Sequence, residues 1–224
     1  MNNCKSSVET ALQIISCFTA QDIDLSFDEL MMRVDNTKEV VSGLLEILCS
    51  EGFLSKNKAT ERYRLGSKML ETAGIYIAGN NGYHHIWQIL DSIKEISNET
   101  ICLYRRDGDI RRCVMRIESN SPLRHTVTIG QTMPLDKGAA GKIMLAQTDE
   151  NLSDIKEAGY ASSFGEREAY FAALAAPVFD ETGELFGALS ISGPIERIRE
   201  KDKSEIISEL KKHAKSLSSL VNHL

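Results

Sequence analysis

The chain has 224 residues, of which 42% are hydrophobic and 26% are charged, and its formal net charge at pH 7 is −6. These values predict a globular protein that is long enough for one large domain or two small ones. No run of eighteen apolar residues occurs, and no apolar segment follows the first five residues, so we expect neither a membrane span nor a secretory signal. A cytoplasmic protein without a membrane partner is the resulting expectation.

The cysteine and histidine spacing argues against a disulfide framework and against a metal site. The five cysteines are an odd number and are widely spaced, at Cys4, Cys17, Cys49, Cys102 and Cys113. In a reducing compartment such residues are usually buried free thiols. No pair has zinc-ligand spacing, and the adjacent His84 and His85 would point in different directions on a helix. We predict no metal and no cofactor.

The amino-terminal third predicts three helices followed by a hairpin. Two capping-box pairs, Ser6 with Glu9 and Ser26 with Glu29, indicate the starts of the first two helices. A third helix is expected after Asn36, which is a good cap residue. Two strands, 53–55 and 61–65, should then flank a polar tip. This order is typical of a winged helix-turn-helix.

In a winged helix-turn-helix the third helix enters the major groove and the wing contacts the backbone or the minor groove. The candidate DNA-binding side chains are therefore Thr37, Lys38, Glu39, Val41, Ser42, Lys56, Lys58, Arg62 and Arg64. Residues 1–66 carry seven basic and ten acidic side chains, a net charge of −3, whereas residues 55–68 carry five basic and one acidic, a net charge of +4. We expect phosphate binding to be concentrated in the wing.

A linker helix is predicted over residues 67–82, after Leu65-Gly66 and up to the Gly79-Asn80-Asn81-Gly82 tract. Beyond it the pattern changes from helical to mixed. The predicted elements are a helix over 86–96, a hairpin of strands 100–105 and 110–118, a hairpin of strands 172–179 and 185–192, and a final helix from Glu200 to His223. Val114 and Arg116 are expected to share one face of their strand. Together these elements predict an antiparallel sheet with helices packed on it, and such a domain can hold a small-molecule pocket.

Several segments of the carboxyl-terminal half match a family pattern. Gly159-Tyr160-Ala161-Ser162-Ser163-Phe164-Gly165-Glu166 is followed seven residues later by Ala173-Leu174-Ala175-Ala176-Pro177-Val178-Phe179-Asp180, and Met133-Pro134-Leu135 and Ala140-Gly141-Lys142 lie upstream. On these segments the chain resembles the IclR-type transcriptional regulators, over nearly all of residues 6–224. The resemblance implies an α+β protein: a winged helix-turn-helix over 1–66, a linker helix over 67–82, and a GAF-like antiparallel-sheet domain that binds an effector over 83–224.

The resemblance also assigns effector-binding positions, which fall on Ala139, Ala140, Ser163, Phe171, Ala173, Ser190 and Ser192. Ala139 and Ala140 lie near the expected start of a helix, where backbone N–H groups could hold an anion such as a carboxylate. Ser190 and Ser192 match the two serines that hydrogen-bond the effector in the family, and strand alternation sends both hydroxyls to one face. The alternative is a pair of surface hydroxyls on a solvated sheet face.

The family's recognition helix differs from this sequence at several positions. Glu39 replaces a serine, Val40 a threonine and Gly43 an arginine. Glu39 could cap the helix, since it lies three residues after Asn36, or it could accept a hydrogen bond from a cytosine amino group. Gly43 costs the helix about 1 kcal/mol relative to alanine and removes a phosphate or guanine contact.

By resemblance the chain is a bacterial regulator that binds double-stranded operator DNA as a homodimer or tetramer and responds to a small-molecule effector. The alternative is a sensor of the same ancestry whose DNA binding is weakened or lost and which acts through protein contacts; the acidic amino-terminal module favours it. A third function, an enzyme on the sensor fold, is set aside. The segment Gly138–Ile143 is too short between its glycines for a phosphate-binding loop, and we predict no catalytic residue.

Overall fold

The computed structural model describes residues 6–200 and 203–224. Residues 1–5, which include Cys4 and Lys5, and residues 201 and 202 lie outside the described residues. The chain divides into two compact units, one that ends at Gly79 and one that begins at Asn80. The four described cysteines are free thiols, and no helix in the described ranges is long and apolar enough to cross a membrane.

The first unit contains the helices and the hairpin in the predicted order. Its elements are α1 (Ser7–Ser16), α2 (Phe27–Met31), α3 (Lys38–Ser50), β1 (Leu54–Lys56), β2 (Tyr63–Leu65) and α4 (Ser67–Gly79). Both predicted capping boxes are confirmed: the hydroxyls of Ser6 and Ser26 accept from the backbone N–H groups of Glu9 and Glu29, and the two carboxylates accept from the serine N–H groups. The hairpin is antiparallel, and Leu25 adds a short bridge to Tyr63.

The start of α3 differs from the prediction by one residue. Thr37, and not Asn36, is the N-cap, because its hydroxyl accepts from the N–H of Val40. The Asn36 amide is used elsewhere: its oxygen accepts from Thr37 N and its nitrogen donates to Thr10 Oγ1, at 2.8 and 2.9 Å. The capping role for Glu39 is therefore wrong, since the capping-box position after Thr37 belongs to Val40.

α4 ends at Gly79 and buries none of its side chains within its unit. Leu70 and Ile75, two of its apolar residues, are 78% and 74% exposed. The next helix begins at Asn81 after the Asn80 cap, so the linker range predicted to residue 82 overlaps its first turn.

The second unit is built on one sheet. Its elements are α5 (Asn81–Ser97), β3 (Thr100–Asp107), β4 (Ile110–Ile117), β5 (Thr132–Pro134), α6 (Ala139–Leu145), α7 (Ser153–Ala158), β6 (Ala161–Phe164), β7 (Phe171–Phe179), β8 (Leu185–Pro194), α8 (Ile195–Glu200) and α9 (Lys203–Ser216), with 3₁₀ turns at Glu150–Leu152 and Val221–His223. The sheet order is β5-β4-β3-β8-β7-β6, and every pairing is antiparallel. The predicted antiparallel sheet is thus confirmed.

The predicted final helix is confirmed as α9, but its predicted bounds, Glu200 to His223, are wrong at both ends. α8 ends at Glu200 and α9 ends at Ser216. The chain then continues as turns, with a 3₁₀ turn at Val221–His223. These turns bring Val221 onto the core that also buries Leu217; the two residues are 1% and 0% exposed. Burial of both side chains explains why an apolar stripe that continues past Ser216 does not mark a continuous helix.

The two faces of the sheet are covered differently. On one face α5 and α9 pack with Leu103 and Leu189 in the larger core. On the other face α6 packs with Tyr104 and Cys113 in a smaller core. A domain with its sheet half covered on one side has room for a ligand there.

A β-bulge in β4 decides which of its side chains face α6. Leu103 pairs with Met115 but Tyr104 pairs with Cys113, which leaves Val114 as the extra residue. Such a bulge shifts the side-chain alternation by one position. The expectation that Val114 and Arg116 share a face is therefore wrong: Val114 packs on the α5 face.

Candidate functional site

A cleft lies beside α6 in the second unit, with about 440 Å³ of empty space, part of it open to solvent. All seven positions assigned by resemblance line it, from four elements: Ala139 and Ala140 on α6, Ser163 on β6, Phe171 and Ala173 on β7, and Ser190 and Ser192 on β8. Register explains the assembly, because Ala173 pairs with Ser192 and Ser163 pairs with Ala173 across neighbouring strands. Residues distant in sequence thus form one concave surface.

The two serines of β8 face the cleft and not bulk solvent. Ser190 and Ser192 are 3% and 4% exposed, so their interpretation as a solvated surface pair is wrong. Ser192 Oγ lies 2.8 Å from His125 Nδ1 and 3.5 Å from the carbonyl of Thr100. Ser190 makes no side-chain hydrogen bond within residues 6–200 and 203–224, and its hydroxyl is available to a ligand.

Five residues with polar or ionisable side chains, which sequence reasoning did not assign to the site, also line the cleft: Tyr104, Arg111, His125, Arg167 and Glu168. These side chains bring charged and ionisable groups into the cleft, whereas the seven positions assigned by resemblance carry none. Glu168 Oε1 lies 2.7 Å from Arg167 Nη2 and 3.3 Å from His125 Nε2. Arg167 Nη2 also contacts His125 Nε2 directly.

This network fixes the protonation state of His125. Burial, and then the charge of Arg167, lower the pKa of His125 below its ordinary value, so the ring is neutral at pH 7. Both Arg167 and Glu168 contact Nε2; Arg167 can only donate and is the closer of the two, which favours Nε2 as the acceptor and the proton on Nδ1. The Nδ1–H then donates to Ser192 Oγ, and the Ser192 hydroxyl donates to Thr100 O.

Arg111 is the most buried cation of the cleft, at 3% exposure. Its Nη1 donates to the carbonyl of Pro134, and its guanidinium carbon lies 5.7 Å from the centre of the Tyr104 ring. Its Nε has no hydrogen-bond partner, and no described carboxylate forms an ion pair with it. Burial lowers the pKa of Arg111.

The start of α6 is close to Arg111. A Cβ at Gly141 would lie 2.6 Å from Arg111 Nη1 and would overlap the carbonyl oxygen of Leu135, so only glycine fits there. The expected anion contact at the backbone of this helix is partly occupied, because the N–H of Gly138 donates to Glu166 Oε2 at 3.2 Å. Lys142 also pairs with Glu166.

The first unit presents fewer of the candidate DNA contacts than the sequence predicts. Thr37, Lys38 and Glu39 are exposed at the start of α3, and Ser42 is half-buried. Val41 is 0% exposed and belongs to the core with Leu45. Its assignment to DNA contact is wrong, because its helical position turns it inward.

The cations of the wing are largely neutralised inside the unit. Lys56 pairs with Glu61. Arg62 reaches Asp24 and Glu29 at 2.6 and 2.7 Å, and Arg64 reaches Asp24 at 2.8 Å. Only Lys58, of the four wing cations assigned to DNA, is exposed without an ion pair among the described residues.

The sequence of the second unit matches that of a known protein family. The profile described as "Bacterial transcriptional regulator IclR C-terminal" matches residues 81–151 and 147–219. Since the match covers more than half of the chain, the chain belongs to the IclR family of transcriptional regulators. No group of three potential metal ligands occurs within the described part of the chain.

The relatives are regulators rather than enzymes. The HTH-type transcriptional regulator KdgR of Dickeya chrysanthemi is 25% identical, over 97% of this chain and 81% of its own length. Among solved structures, an IclR transcriptional regulator from Alicyclobacillus acidocaldarius has a TM-score of 0.85 at 23% identity, covering 95% of this chain and 97% of that one. An IclR homolog from Microbacterium hydrocarbonoxydans, complexed with 4-hydroxybenzoate, has a TM-score of 0.77 at 14% identity and covers 98% and 100%.

Proposed function

We propose that this regulator binds operator DNA through its first unit and that a small carboxylate bound in the cleft changes that binding. The observation that carries the proposal is the cleft itself, where the seven positions come together from α6, β6, β7 and β8. A concave site with an apolar wall and a few converging polar groups is the usual form of a small-molecule site.

A carboxylate is favoured by the chemistry of the lining. Ser190 supplies a free hydroxyl donor, and Phe171 and Ala173 supply an apolar wall. Hydrogen bonds between such donors and an ionised acceptor are stronger than neutral ones. The 4-hydroxybenzoate complex of the Microbacterium homolog, a protein of the same fold, makes that compound a suitable first probe.

The first unit supports DNA binding through its order of elements, which is that of a winged helix-turn-helix with α3 as the recognition helix. Lys38, at the amino end of α3, and Lys58, in the wing, are exposed cations that can reach phosphates. The unburied apolar side chains Leu70 and Ile75 of α4 suit a contact with a second copy of the chain. A two-fold dimer matches a palindromic operator, and pairs of dimers would give a tetramer.

A salt titration tests DNA binding. The parent protein is titrated against the promoter DNA beside its own gene at several salt concentrations, with a scrambled duplex as the matched control. We expect specific binding whose logarithmic affinity falls linearly with log salt, and a change in that affinity when the effector is added. Equal, weak affinity for both duplexes would reject operator recognition.

A sensor that no longer recognises operator DNA is the second candidate, and one observation favours it. Asp24 and Glu29 hold Arg62 and Arg64 inside the unit, so a phosphate must compete with carboxylates for the wing. If the titration shows no DNA binding while ligands still stabilise the second unit, the protein acts through protein contacts.

A further inference from the structure

Arg111 carries a positive charge into the cleft and forms no ion pair with a described carboxylate; the charge of Asp136 attracts it only through space. Its guanidinium is nearly fully buried, and its carbonyl and aromatic neighbours, Pro134 and Tyr104, are uncharged. A buried cation without a partnering anion is costly in free energy. Arginine does not relieve this cost by losing its proton.

The backbone is arranged to bring this side chain to the cleft. Without the bulge at Val114, strand alternation from Arg116 would direct Arg112, and not Arg111, to the α6 face. The missing side chain at Gly141 then leaves the space that Arg111 Nη1 occupies. Two local departures from regular structure therefore place one guanidinium beside the ligand space.

The edge of the Arg111 guanidinium that carries Nε and Nη2 has the geometry to bind a carboxylate. Nη1 already donates a hydrogen bond to the carbonyl oxygen of Pro134. Nε has no partner, and Nη2 has only a 4.0 Å contact with the sulfur of Met133. Because Nε–H and an Nη2–H point the same way, this edge can donate two parallel hydrogen bonds to one carboxylate.

The other charges of the cleft cancel. Glu168 neutralises Arg167, with which it forms a 2.7 Å ion pair. His125 is neutral because burial lowers its pKa. Arg111 remains as the single uncompensated charge among the residues that line the cleft, so one negative charge on the ligand would balance the site.

We propose that Arg111 is the charge partner of the ligand and that the ligand is a small monocarboxylic acid. Its carboxylate accepts from Nε and Nη2 of Arg111 and from the Ser190 hydroxyl, and its body lies against Phe171. A second carboxylate would approach Glu168 and be disfavoured. This inference rests on the proposed function, because it assigns a ligand class to the same cleft.

Matched acids and amides test the charge requirement on the full-length parent protein. The probes are 4-hydroxybenzoate with 4-hydroxybenzamide and propionate with propionamide, each in excess at constant ionic strength made up with chloride. We expect at least one acid to raise the Tm by several degrees through mass action, while its amide does not. Equal stabilisation by acid and amide, or none by either acid, would overturn the proposal.

Variants then test the residue by calorimetric titration of the acid that stabilises the parent. Arg111→Gln removes the charge and should weaken binding about 10- to 150-fold, the range of a charge-assisted hydrogen bond. Arg111→Lys keeps the charge but loses the paired donors, and its affinity should lie between the two. Arg112→Gln is the matched control, since Arg112 lies on the same strand, is half-buried outside the cleft lining and pairs with Asp107; it should bind as the parent does.

Parent-like affinity in folded Arg111→Gln would overturn the proposal. If that variant does not fold, the comparison of acids with amides on the parent decides, since it uses no substitution. Failure of the inference is distinguishable from failure of the proposed function. An uncharged compound that fills the cleft and alters DNA binding would reject the inference alone, whereas acid binding that needs Arg111 without any DNA binding would reject operator recognition alone.

Discussion

His125 Nδ1 and Ser192 Oγ are 2.8 Å apart and join the segment between β4 and β5 to strand β8 at the wall of the cleft. This hydrogen bond makes the two serines of β8 unequal. Ser192 is already engaged with His125 and Thr100, whereas the Ser190 hydroxyl is free to meet a ligand. We therefore expect Ser192 to act chiefly by holding the imidazole in place.

Replacing both serines, Ser190→Ala with Ser192→Ala, should abolish the response to effector, with the fold and ligand-free DNA binding retained. Ser190→Ala alone should weaken binding about 10-fold or more, because a hydroxyl donor to a charged group is lost. Calorimetric titration of the stabilising acid into parent and variants measures the effect. Ser162→Ala, half-buried on β6 and outside the cleft lining, is the control. Equal affinities for parent and double variant would show that ligand binding does not involve these serines.

His125 should make stability depend on pH. Its pKa is lowered from 6.5 by burial and by Arg167, against the opposing effect of Glu168. The unfolded chain therefore takes up a proton near pH 6.5 that the folded chain does not, so stability is full above this pH and falls as the pH decreases toward the folded-state pKa. Between pH 6.5 and 5.5 the free energy of unfolding should fall by up to ~1 kcal/mol from this group.

Urea denaturation of parent and His125→Gln at pH 7.5 and 5.5 measures this dependence. The other histidines are common to both proteins, so the difference between the two pH effects isolates His125. The lowered pKa of Glu168 acts in a separate window, below its ordinary value of 4.5. An identical loss of stability in parent and variant would count against a neutral, buried imidazole.

The wing should gain DNA affinity when its internal carboxylate is neutralised. Asp24→Asn frees Arg64 from an ion pair and Arg62 from one of two, so binding to any duplex should tighten and the slope on log salt should steepen by about 0.9 per added phosphate contact. Asp28→Asn, an exposed acid on α2, makes the same charge change without freeing an arginine. If both variants behave alike, only net charge matters.

Changing the four wing cations together to alanine should weaken binding to all DNA sequences alike and flatten the salt slope. The ion pairs indicate that Lys58 contributes most of this loss, because it alone of the four is exposed and unpaired within the described residues. Lys58→Ala is therefore compared with the quadruple variant by salt titration. An unchanged slope in the quadruple variant would remove the wing from the DNA interface.

Gly43 offers a gain-of-affinity test in the recognition helix. It is exposed, and nothing lies within 4 Å of the position its Cβ would take. Gly43→Ala should stabilise α3 by about 1 kcal/mol, and Gly43→Arg should in addition strengthen DNA binding through a phosphate or guanine contact. The alanine variant is the control for helix stability. Weaker DNA binding by the arginine variant than by the alanine variant would contradict the docking of α3 in the groove.

α4 should hold the oligomer together. Leu70→Glu with Ile75→Glu places charges on exposed apolar positions and should convert a dimer to monomer, or a tetramer to a smaller oligomer, because buried unpaired charges oppose association. Multi-angle light scattering over a range of concentrations measures the mass, with Glu71→Gln on the same helix as control. A parent protein that is monomeric at every concentration would exclude the proposed oligomer.

Short sequence patterns predicted the elements that are determined by residues close together in the chain. The capping boxes at Ser6 and Ser26 and the antiparallel hairpins follow from spacing within a few residues. The cleft positions, such as Ser190 and Ala139, came from the family resemblance and not from periodicity.

The remaining features depend on contacts between distant residues. The bulge at Val114 leaves no signal in the strand's composition, so Arg111 could not be assigned to the cleft. Asp24 neutralises Arg62 and Arg64 from about forty positions away. His125 lies in a segment without a regular pattern, and only the folded chain brings it to Ser192.

The glycine at position 141 limits how this site can evolve. Every other amino acid would add a Cβ that collides with the Leu135 carbonyl and with Arg111. No substitution of Gly141 is therefore tolerated as long as both neighbours remain. Preference for a new ligand must arise elsewhere, at small side chains such as Ala139 and Ala173 that face the empty space. Under the proposed function, descendants of this protein can therefore diverge in ligand preference through single substitutions that enlarge side chains of the cleft wall, with Gly141 unchanged.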